Sequence, residues 1–277
     1  MEKVSNIIPY FIKQLSSIAT DREIISWGYL SIEHCLGYNR SDCIINANKG
    51  ITPEISARIK QIITDLKTNK PLQYILGETE FYGLKFKVNE YALIPRPETE
   101  ELVDWVLKEK FTSALDIGTG TGCIPIALAK NSTAIISAID ISEGALMVAK
   151  ENAKMNGVEI NFLQQDILKT TALAKVDIIV SNPPYILDKE KELMLDNVLD
   201  NEPHLALFVP NDNPLLFYKK IGELAAESLN CGGKLYFEIN EKYGNEILEM
   251  LRKIGFVDIA LKKDINDKDR MLKATKK

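Results

Sequence analysis

The sequence predicts an α/β fold in which helices cover both faces of a mostly parallel, Rossmann-like sheet of seven strands. Three observations predict it: helical periodicity over about the first 70 residues, an aromatic-rich alternation around two glycines, and strand–helix alternation from residue 113 onward. They divide the chain into a small N-terminal helical domain (1–72), a β-hairpin linker (73–95) and a larger domain (96–277).

The composition is that of an ordinary globular protein and limits its partners. Of 277 residues, 45% are hydrophobic and 26% charged, and the formal net charge is −5. General nucleic-acid binders usually carry a basic face, so we expect no direct nucleic-acid binding. Four scattered cysteines and two distant histidines predict reduced thiols and no metal site. Because we find no signal peptide and no apolar run of about 20 residues, we expect a cytoplasmic monomer without a membrane partner.

The first 70 residues show helical spacing. Thr52 and Pro53 have the sequence of an N-cap followed by proline at the first helical position. The apolar residues on the predicted helix faces are Ile24, Ile25, Trp27 and Leu30, then Ile55, Ile59, Ile62, Ile63 and Leu66. A segment this short buries little surface alone, so we expect a small bundle docked onto the rest.

The linker and the start of the larger domain have distinct patterns. The stretch "QYILGETEFYGLKFKV" alternates around Gly77 and Gly83, which is typical of a β-hairpin. In "IPRPETEELVDWVL", Pro97 and the acidic residues that follow it favour a helix N-terminus. The predicted strands after it are 113–117, 134–140, 158–165, 176–181, 233–239, 256–262 and 270–275.

A glycine-rich loop follows the first predicted strand of the sheet. The stretch "LDIGTGTG" contains Asp116, Gly118, Thr119, Gly120, Thr121 and Gly122. Glycines are needed where the backbone turns tightly and approaches a ligand closely. A dinucleotide fingerprint places its third glycine one residue later, and a P-loop continues with lysine. An acid followed by this spacing instead resembles the first motif of class I S-adenosylmethionine-dependent methyltransferases; the structural alternative is a plain strand–helix turn.

Two further acids end the next two strands. Asp140 ends "AIISAID", where a carboxylate accepts hydrogen bonds from both ribose hydroxyls of a nucleoside cofactor. Asp166 ends "INFLQQD", beside the expected position of the adenine, and Ile167 would pack against that ring. Each acid could alternatively cap a helix or lie in a solvated turn. Open α/β sheets bind ligands at the carboxyl ends of their strands, so the two positions together favour a cofactor site.

The fourth strand ends in "SNPPY". Proline donates no backbone hydrogen bond, but its carbonyl still accepts one, and two prolines stiffen the loop. The side-chain carbonyl of Asn182 and the backbone carbonyl of Pro183 could therefore accept both hydrogens of one NH₂ group, with Pro184 and Tyr185 bordering a planar substrate. Such a grip would orient an amide nitrogen whose lone pair is otherwise delocalised, so that catalysis is positioning and preorganised dipoles. The structural alternative is a simple Asn-Pro turn.

The motifs in combination resemble those of the HemK/PrmC family. "NPPY" alone is similar to the motif of both amino-methylating DNA enzymes and protein glutamine methyltransferases. "PLQYILGETEFYG", "LIPRPETEELV", "LDIGTGTG" and "SNPPYI" together resemble the family that methylates the GGQ glutamine of bacterial class-I peptide chain release factors. The resemblance implies a seven-stranded methyltransferase domain, S-adenosylmethionine as cofactor, S-adenosylhomocysteine as product and a release factor as protein substrate.

Position by position, the resemblance implies two groups of site residues. The cofactor group is Gly118, Thr119, Gly120, Thr121, Gly122, Asp140, Asp166, Ile167 and Asn182. The substrate group is Asn182, Pro183, Pro184 and Tyr185, with Asn182 and Pro183 as the catalytic pair. The segment from Arg96 to Glu100 would border the pocket without an assigned role. The C-terminal "DINDKDR" departs from the family because it lacks a glycine before Arg270, which questions the local turn.

Two other functions stay open at the level of the sequence. An adenine methyltransferase acting on DNA or RNA would need a basic target-recognition region, for which this acidic chain leaves little room. A non-catalytic protein that binds S-adenosylmethionine would not need the rigid acceptor in "NPPY".

Overall fold

The protein is described from a computed structural model that covers residues 2–193 and 196–277. Its contacts divide the chain into two compact units: the first runs to Gly77 and includes Asp196–Asn201, and the second comprises the remainder. In the described ranges, no helix combines the length and apolar character that a membrane crossing requires.

The first unit is helical, as the periodicity predicted. Side chains from its helices share one core around Phe11, Ile32 and Ile59. The predicted cap at Thr52 is confirmed: its hydroxyl accepts a hydrogen bond from Ile55 N at 3.4 Å, and Pro53 stands in the first turn. The helices are α1 (Ile7–Leu15), α2 (Asp21–Leu36), α3 (Arg40–Ile45), α4 (Pro53–Leu66) and α5 (Leu72–Leu76), together with α9 (Asp196–Leu199).

Helix α5 corrects the prediction of a β-hairpin from residue 73 onward. Leu72 and Ile75 of this helix are buried in the core of the first unit. Gly77 ends the helix with φ 75°, and its N–H donates to Gln73 O at 2.8 Å. The apolar residues of this stretch therefore serve a helical face, and the alternation becomes that of a strand only after Gly77.

The hairpin and the helix after it begin the second unit. Strands β1 (Glu78–Phe81) and β2 (Leu84–Lys87) pair antiparallel around a tight turn. Helix α6 (Pro97–Leu107) starts at Pro97, as predicted. Its Glu100 carboxylate accepts a hydrogen bond from Tyr82 N at 2.8 Å, which holds the hairpin turn against α6.

A seven-stranded sheet forms the centre of the second unit, in the order β10-β11-β9-β6-β3-β4-β5. All neighbouring pairs are parallel except those made by β11, which runs antiparallel to both neighbours. This arrangement confirms the predicted mostly parallel α/β sheet. The strands are β3 (Ser113–Ile117), β4 (Ile135–Asp140), β5 (Asn161–Gln164), β6 (Val176–Ser181), β9 (Leu229–Glu238), β10 (Phe256–Lys263) and β11 (Asp269–Lys276).

Helices cover both faces of the sheet and bury two apolar clusters against it. These helices are α6, α7 (Cys123–Asn131), α8 (Glu143–Met155), α11 (Leu216–Ser228) and α12 (Gly244–Ile254). A short helix, α10 (His204–Leu207), follows α9 in the chain. A two-stranded parallel pair, β7 (Ile186–Leu187) and β8 (Phe208–Val209), lies outside the main sheet. Short 3₁₀ turns occupy Val4–Asn6, Asp188–Leu193 and Glu241–Tyr243.

The starts of two strands differ from the predictions by more than one residue, for physical reasons. Strand β5 was predicted from residue 158, but Val158 N donates to Ala153 O at 3.1 Å and so completes the end of α8. Strand β9 was predicted from residue 233, but it begins at Leu229, which pairs with Val176 across an irregularity in register. The glycine-containing stretch 230–233 is thus a distortion inside the strand.

The C-terminal turn forms without the glycine that the family pattern led us to expect. Asp267 adopts φ 61°, a conformation that aspartate tolerates better than most residues. The Asp264 carboxylate stabilises the turn by accepting hydrogen bonds from Asn266 N at 2.9 Å, Lys268 N at 3.0 Å and Arg270 Nε at 3.1 Å. The departure in sequence therefore leaves the turn intact.

The register brings the ends of the parallel strands to one edge of the sheet. Ile117 pairs with Ile139 and with Ser181, and Ser181 pairs with Phe237. The chain order reverses between β3 and β6, where helical crossovers leave in opposite directions. Open α/β sheets bind their ligands at such a switch point.

Candidate active site

A cavity of about 240 Å³ lies at this switch point, within the second unit. Its walls come from the segments that follow four neighbouring strands: the glycine loop, Asp140–Ser142, Gln165–Leu168 and Ser181–Pro184. The structure therefore brings every predicted cofactor residue except Gly122, and three of the four predicted substrate residues, to one cavity.

Three glycines give the loop its shape. Gly118, Gly120 and Gly122 have φ values of 76°, 54° and 80°, a region that other residues rarely adopt. At Gly122 space is also limiting, because a Cβ would approach Ala149 Cβ and Ile126 Cδ1 at 3.1 Å. The loop thus packs closely against α8 and leads directly into α7.

Asp140 fixes the loop to the neighbouring strand. Its carboxylate accepts hydrogen bonds from Gly120 N at 2.8 Å and from Ser142 N at 2.9 Å. Burial raises its pKa, while these backbone donors oppose the rise. A carboxylate held this way still has lone pairs for hydroxyl donors in the cavity, which is the geometry that a ribose contact needs.

Unsatisfied polar atoms collect beneath and within the glycine loop. Within the described part of the chain, both carboxylate oxygens of Asp116 and the hydroxyls of Thr119 and Thr121 are buried without a hydrogen-bond partner. Burial raises the pKa of Asp116 to about 7. Buried polar groups are nearly always paired in folded proteins, and Thr119 and Thr121 line the cavity, so their hydroxyls indicate a polar ligand there. The residues present therefore fit a nucleoside cofactor with hydroxyl and amino groups.

Asp166 and Ile167 lie in the cavity wall after β5. The Asp166 carboxylate accepts a hydrogen bond from Leu168 N at 3.0 Å and pairs with the exposed Lys169 at 3.2 Å. It therefore caps its own turn, which is one of the alternatives that the sequence left open. Ile167 is buried and presents an apolar surface. For Asp166 and Ile167, contact with the adenine stays a prediction.

Asn182, Pro183 and Pro184 line the same cavity beside the glycine loop. Ser181, the last residue of β6, anchors them because its hydroxyl donates to Ile117 O at 2.6 Å. The Asn182 side-chain NH₂ donates to the Thr99 hydroxyl at 3.4 Å. The peptide bonds of the NPPY segment are trans, so its two prolines stiffen the loop by fixing φ.

Tyr185 is placed differently from the prediction. The sequence suggested that its ring borders the substrate, but it does not line the cavity. Its ring packs against the core cluster around Tyr218 and Phe237, and its hydroxyl donates to Glu238 Oε1 at 3.2 Å. Burial raises its pKa above the ordinary value. The side chain therefore anchors the end of the NPPY segment.

Thr99 lies in the segment that was predicted to border the pocket but had no assigned role, and Glu238 is a residue that the sequence interpretation missed. The Thr99 hydroxyl donates to Glu238 Oε2 at 2.7 Å, and both residues are buried. Burial raises the pKa of Glu238, while Thr99 and the charge of Arg270 oppose the rise. The signal was present, because "KLYFE" is an apolar strand that ends in an acid, as "AIISAID" is.

Arg96 supplies the cationic side chain among the residues that line the cavity. It lies at the start of α6 and pairs with the buried Glu202 at 2.6 Å. Leu205 and Ala206, which follow Glu202, also line the cavity. The segment from Arg96 to Glu100 thus borders the pocket through Arg96 and Thr99, whereas Glu100 supports the hairpin.

Two family models and several related proteins match this sequence. Residues 9–77 match the model of the PrmC N-terminal domain, and residues 97–206 match that of the Methyltransferase small domain. The release factor glutamine methyltransferase of Flavobacterium psychrophilum is 47% identical over 98% of this chain and 98% of its own. That of Bacteroides thetaiotaomicron is 42% identical over 99% of this chain and 100% of its own.

Solved structures agree on the fold. A methyltransferase from Pyrococcus furiosus superimposes with a TM-score of 0.55 at 20% identity, over 81% of this chain and 99% of its own. A 16S rRNA N2 G1207 methyltransferase from T. thermophilus, in complex with AdoMet and guanosine, has a TM-score of 0.51 at 19% identity, over 72% of this chain and 50% of its own. At such identities the likeness concerns the methyltransferase fold alone.

Proposed function

The chain belongs to the release factor glutamine methyltransferase family, and from this premise we propose its reaction, with residues in named roles. It transfers a methyl group from S-adenosylmethionine to the side-chain amide nitrogen of the glutamine in the GGQ motif of bacterial class-I release factors. The reaction modulates translation termination. The observation that carries the proposal is the single cavity where the glycine loop, Asp140 and the NPPY segment meet.

The cofactor would be held by residues at the ends of β3, β4 and β5. Asp140 accepts from the ribose hydroxyls, the glycine loop approaches the amino-acid portion, and Asp166 and Ile167 border the adenine. The buried hydroxyls of Thr119 and Thr121 support the assignment, because they line the cavity without a hydrogen-bond partner and a bound ligand could supply one. When bound, S-adenosylmethionine supplies an electrophilic methyl group on sulfur.

The NPPY segment would hold the substrate amide. Asn182 Oδ1 and Pro183 O accept its two N–H hydrogens, and Pro184 borders its planar group. Gripping both hydrogens orients the nitrogen lone pair and favours the pyramidal geometry that it adopts as it forms a bond. The amide proton becomes acidic only as that bond forms, so no general base has to act first. Positioning and fixed dipoles carry the catalysis.

Mass spectrometry of a release factor incubated with the enzyme and S-adenosylmethionine tests the function. We expect a gain of about 14 Da on the GGQ glutamine, the mass of one added methylene. The controls are a release factor with that glutamine replaced by alanine, and duplex DNA with labelled cofactor. Transfer to DNA, or to another residue of the release factor, would contradict the proposed substrate.

The first unit would recognise the body of the release factor. The residues that line the cavity belong to the second unit, so we expect deletion of residues 1–72 to leave chemistry on a short GGQ peptide largely intact. The same deletion should raise the KM for a whole release factor. Equal losses on peptide and protein would contradict a recognition role. A cytoplasmic location and a monomeric state stay predictions.

A further inference from the structure

A chain of hydrogen bonds runs from the NPPY segment into the core of the second unit. Asn182 Nδ2 donates to Thr99 Oγ1 at 3.4 Å, and Thr99 Oγ1 donates to Glu238 Oε2 at 2.7 Å. Tyr185 OH donates to the other oxygen, Glu238 Oε1, at 3.2 Å. The carboxylate of Glu238 therefore supports both ends of the NPPY segment, through Thr99 at one end and Tyr185 at the other.

The hydrogen bonds in this series have a fixed direction. A threonine hydroxyl has one proton, and here that proton points to Glu238, whose two oxygens accept hydrogen bonds from Thr99 and from Tyr185. The Thr99 oxygen is then left only as an acceptor. The neighbouring group of Asn182 must be the donor, so its NH₂ faces Thr99 and its carbonyl oxygen faces away.

Such direction matters because an asparagine amide has two ends of nearly equal shape. The stiff backbone of the NPPY segment sets the position of Asn182 but leaves the terminal torsion of its side chain broad. With the amide reversed, an NH₂ group would meet the NH₂ group of the substrate, donor against donor. The hydrogen-bond network around an amide decides between its two orientations.

We propose that Thr99 and Glu238 are positioning residues that keep the Asn182 carbonyl oxygen turned toward the substrate amide. This inference rests on the proposed function, in which Asn182 Oδ1 accepts from that amide. Neither residue touches the reacting atoms. Two further bonds keep the segment in place: Asn240 Nδ2 donates to Tyr185 O at 3.2 Å, and Ser181 Oγ donates to Ile117 O at 2.6 Å.

Thr99→Val and Thr99→Ser test the role of the hydroxyl. Valine has the shape of threonine without the hydroxyl, and serine keeps the hydroxyl. We expect Thr99→Val to lower kcat on the release factor about 10-fold or more, which corresponds to losing roughly one hydrogen bond's worth of transition-state stabilisation. KM and cofactor affinity should change little, and Thr99→Ser should restore most of the activity. Equal losses in both variants would indicate packing and contradict the proposal.

Thr112→Val is the matched control. The Thr112 hydroxyl also donates to a carboxylate, Asp177 Oδ2, at 2.7 Å, but at the opposite edge of the sheet. Both valine variants lose a hydroxyl–carboxylate bond of 2.7 Å, which is buried at Thr99 and exposed at Thr112. The melting temperature of each variant is therefore measured beside its kcat, so that a loss of stability is separated from a loss of turnover. We expect Thr112→Val to keep a normal kcat. A loss of kcat in Thr112→Val equal to that in Thr99→Val would contradict a specific role for Thr99.

A double-mutant cycle asks whether Thr99 acts through Asn182. If it does, Thr99→Val should reduce kcat no further once Asn182 is replaced by alanine. An additional loss of the same size in the Asn182→Ala background would show an independent effect. Glu238→Gln should resemble Thr99→Val, because a carboxamide can turn its NH₂ toward Thr99 and reverse the direction of donation.

A spectroscopic measurement separates this inference from the proposed function. The side-chain NH₂ signals of Asn182 in the ligand-free enzyme, assigned by their absence in Asn182→Ala, should shift in Thr99→Val and return in Thr99→Ser. If the wild type transfers no methyl group to a release factor, the proposed function is wrong, yet these signals still test the hydrogen-bond chain. Signals that are unchanged in Thr99→Val would contradict the inference even if the wild type is active.

Discussion

Asp140 holds the glycine loop and is predicted to bind the ribose, so its removal should weaken cofactor binding. The carboxylate accepts from Gly120 N at 2.8 Å and from Ser142 N at 2.9 Å. Asp140→Ala removes both bonds together with the predicted ribose contact. A hydrogen bond to a charged group contributes about 1.5–3 kcal/mol. Losing one such contact with the cofactor would raise its dissociation constant about 10- to 150-fold.

Isothermal titration calorimetry with S-adenosylhomocysteine measures this change directly. Asp177→Ala is the matched control, because the Asp177 carboxylate also accepts from backbone N–H groups, Thr112 N at 2.8 Å and Ser113 N at 3.2 Å. It lies at the opposite edge of the sheet, so its loss should lower the melting temperature without changing cofactor affinity. A folded Asp140→Ala variant with wild-type affinity would remove Asp140 from the cofactor site.

Three other predictions concern catalysis and pH. Asn182→Ala should lower kcat about 100-fold or more while cofactor affinity stays within about tenfold; near-normal turnover would refute its acceptor role. Burial raises the pKa of Asp116 to about 7, so the ligand-free protein should lose stability as pH rises from about 4 to about 7. The free energy of unfolding, measured with urea, should vary less with pH in Asp116→Asn than in the wild type. An unchanged pH dependence would contradict the raised pKa of Asp116. Hydrogen bonds from Asn230 and Thr112 lower the pKa of Asp177 to about 2, so its contribution to stability should disappear as pH falls from about 4 to about 2, and Asp177→Asn should lack that loss.

Site residues at the ends of parallel strands could be predicted from the sequence. Asp140, Asn182 and the glycine loop each follow an apolar run, and the strand–helix alternation implies that such ends share one edge. The structure brings them to one cavity. Local pattern together with one topological rule was sufficient for this part of the site.

Contacts between distant segments could not be predicted in the same way. Thr99 and Glu238 are 139 positions apart, and only the placement of α6 across the end of β9 brings them together. Tyr185 belongs to a recognised motif, yet its ring packs in the core and its hydroxyl bonds to Glu238. A motif gives the residue types of a site, but the direction of each side chain depends on neighbours that the sequence leaves unspecified.

Local conformation was misread where two patterns coincide. The segment Leu72–Leu76 alternates like a strand, but its apolar side chains complete the core of the first unit as a helix. Asp267 adopts φ 61° where a glycine was expected, because aspartate tolerates that conformation. In both places tertiary packing or side-chain hydrogen bonding outweighs local propensity.

The most direct test of the proposed grip on the substrate is a crystal structure of the enzyme with S-adenosylhomocysteine and a GGQ peptide. We expect the glutamine Nε2 to lie about 3 Å from both Asn182 Oδ1 and Pro183 O, with the Asn182 NH₂ still directed at Thr99. A glutamine amide bound elsewhere, or an Asn182 carbonyl oxygen turned away from the cofactor sulfur, would contradict it.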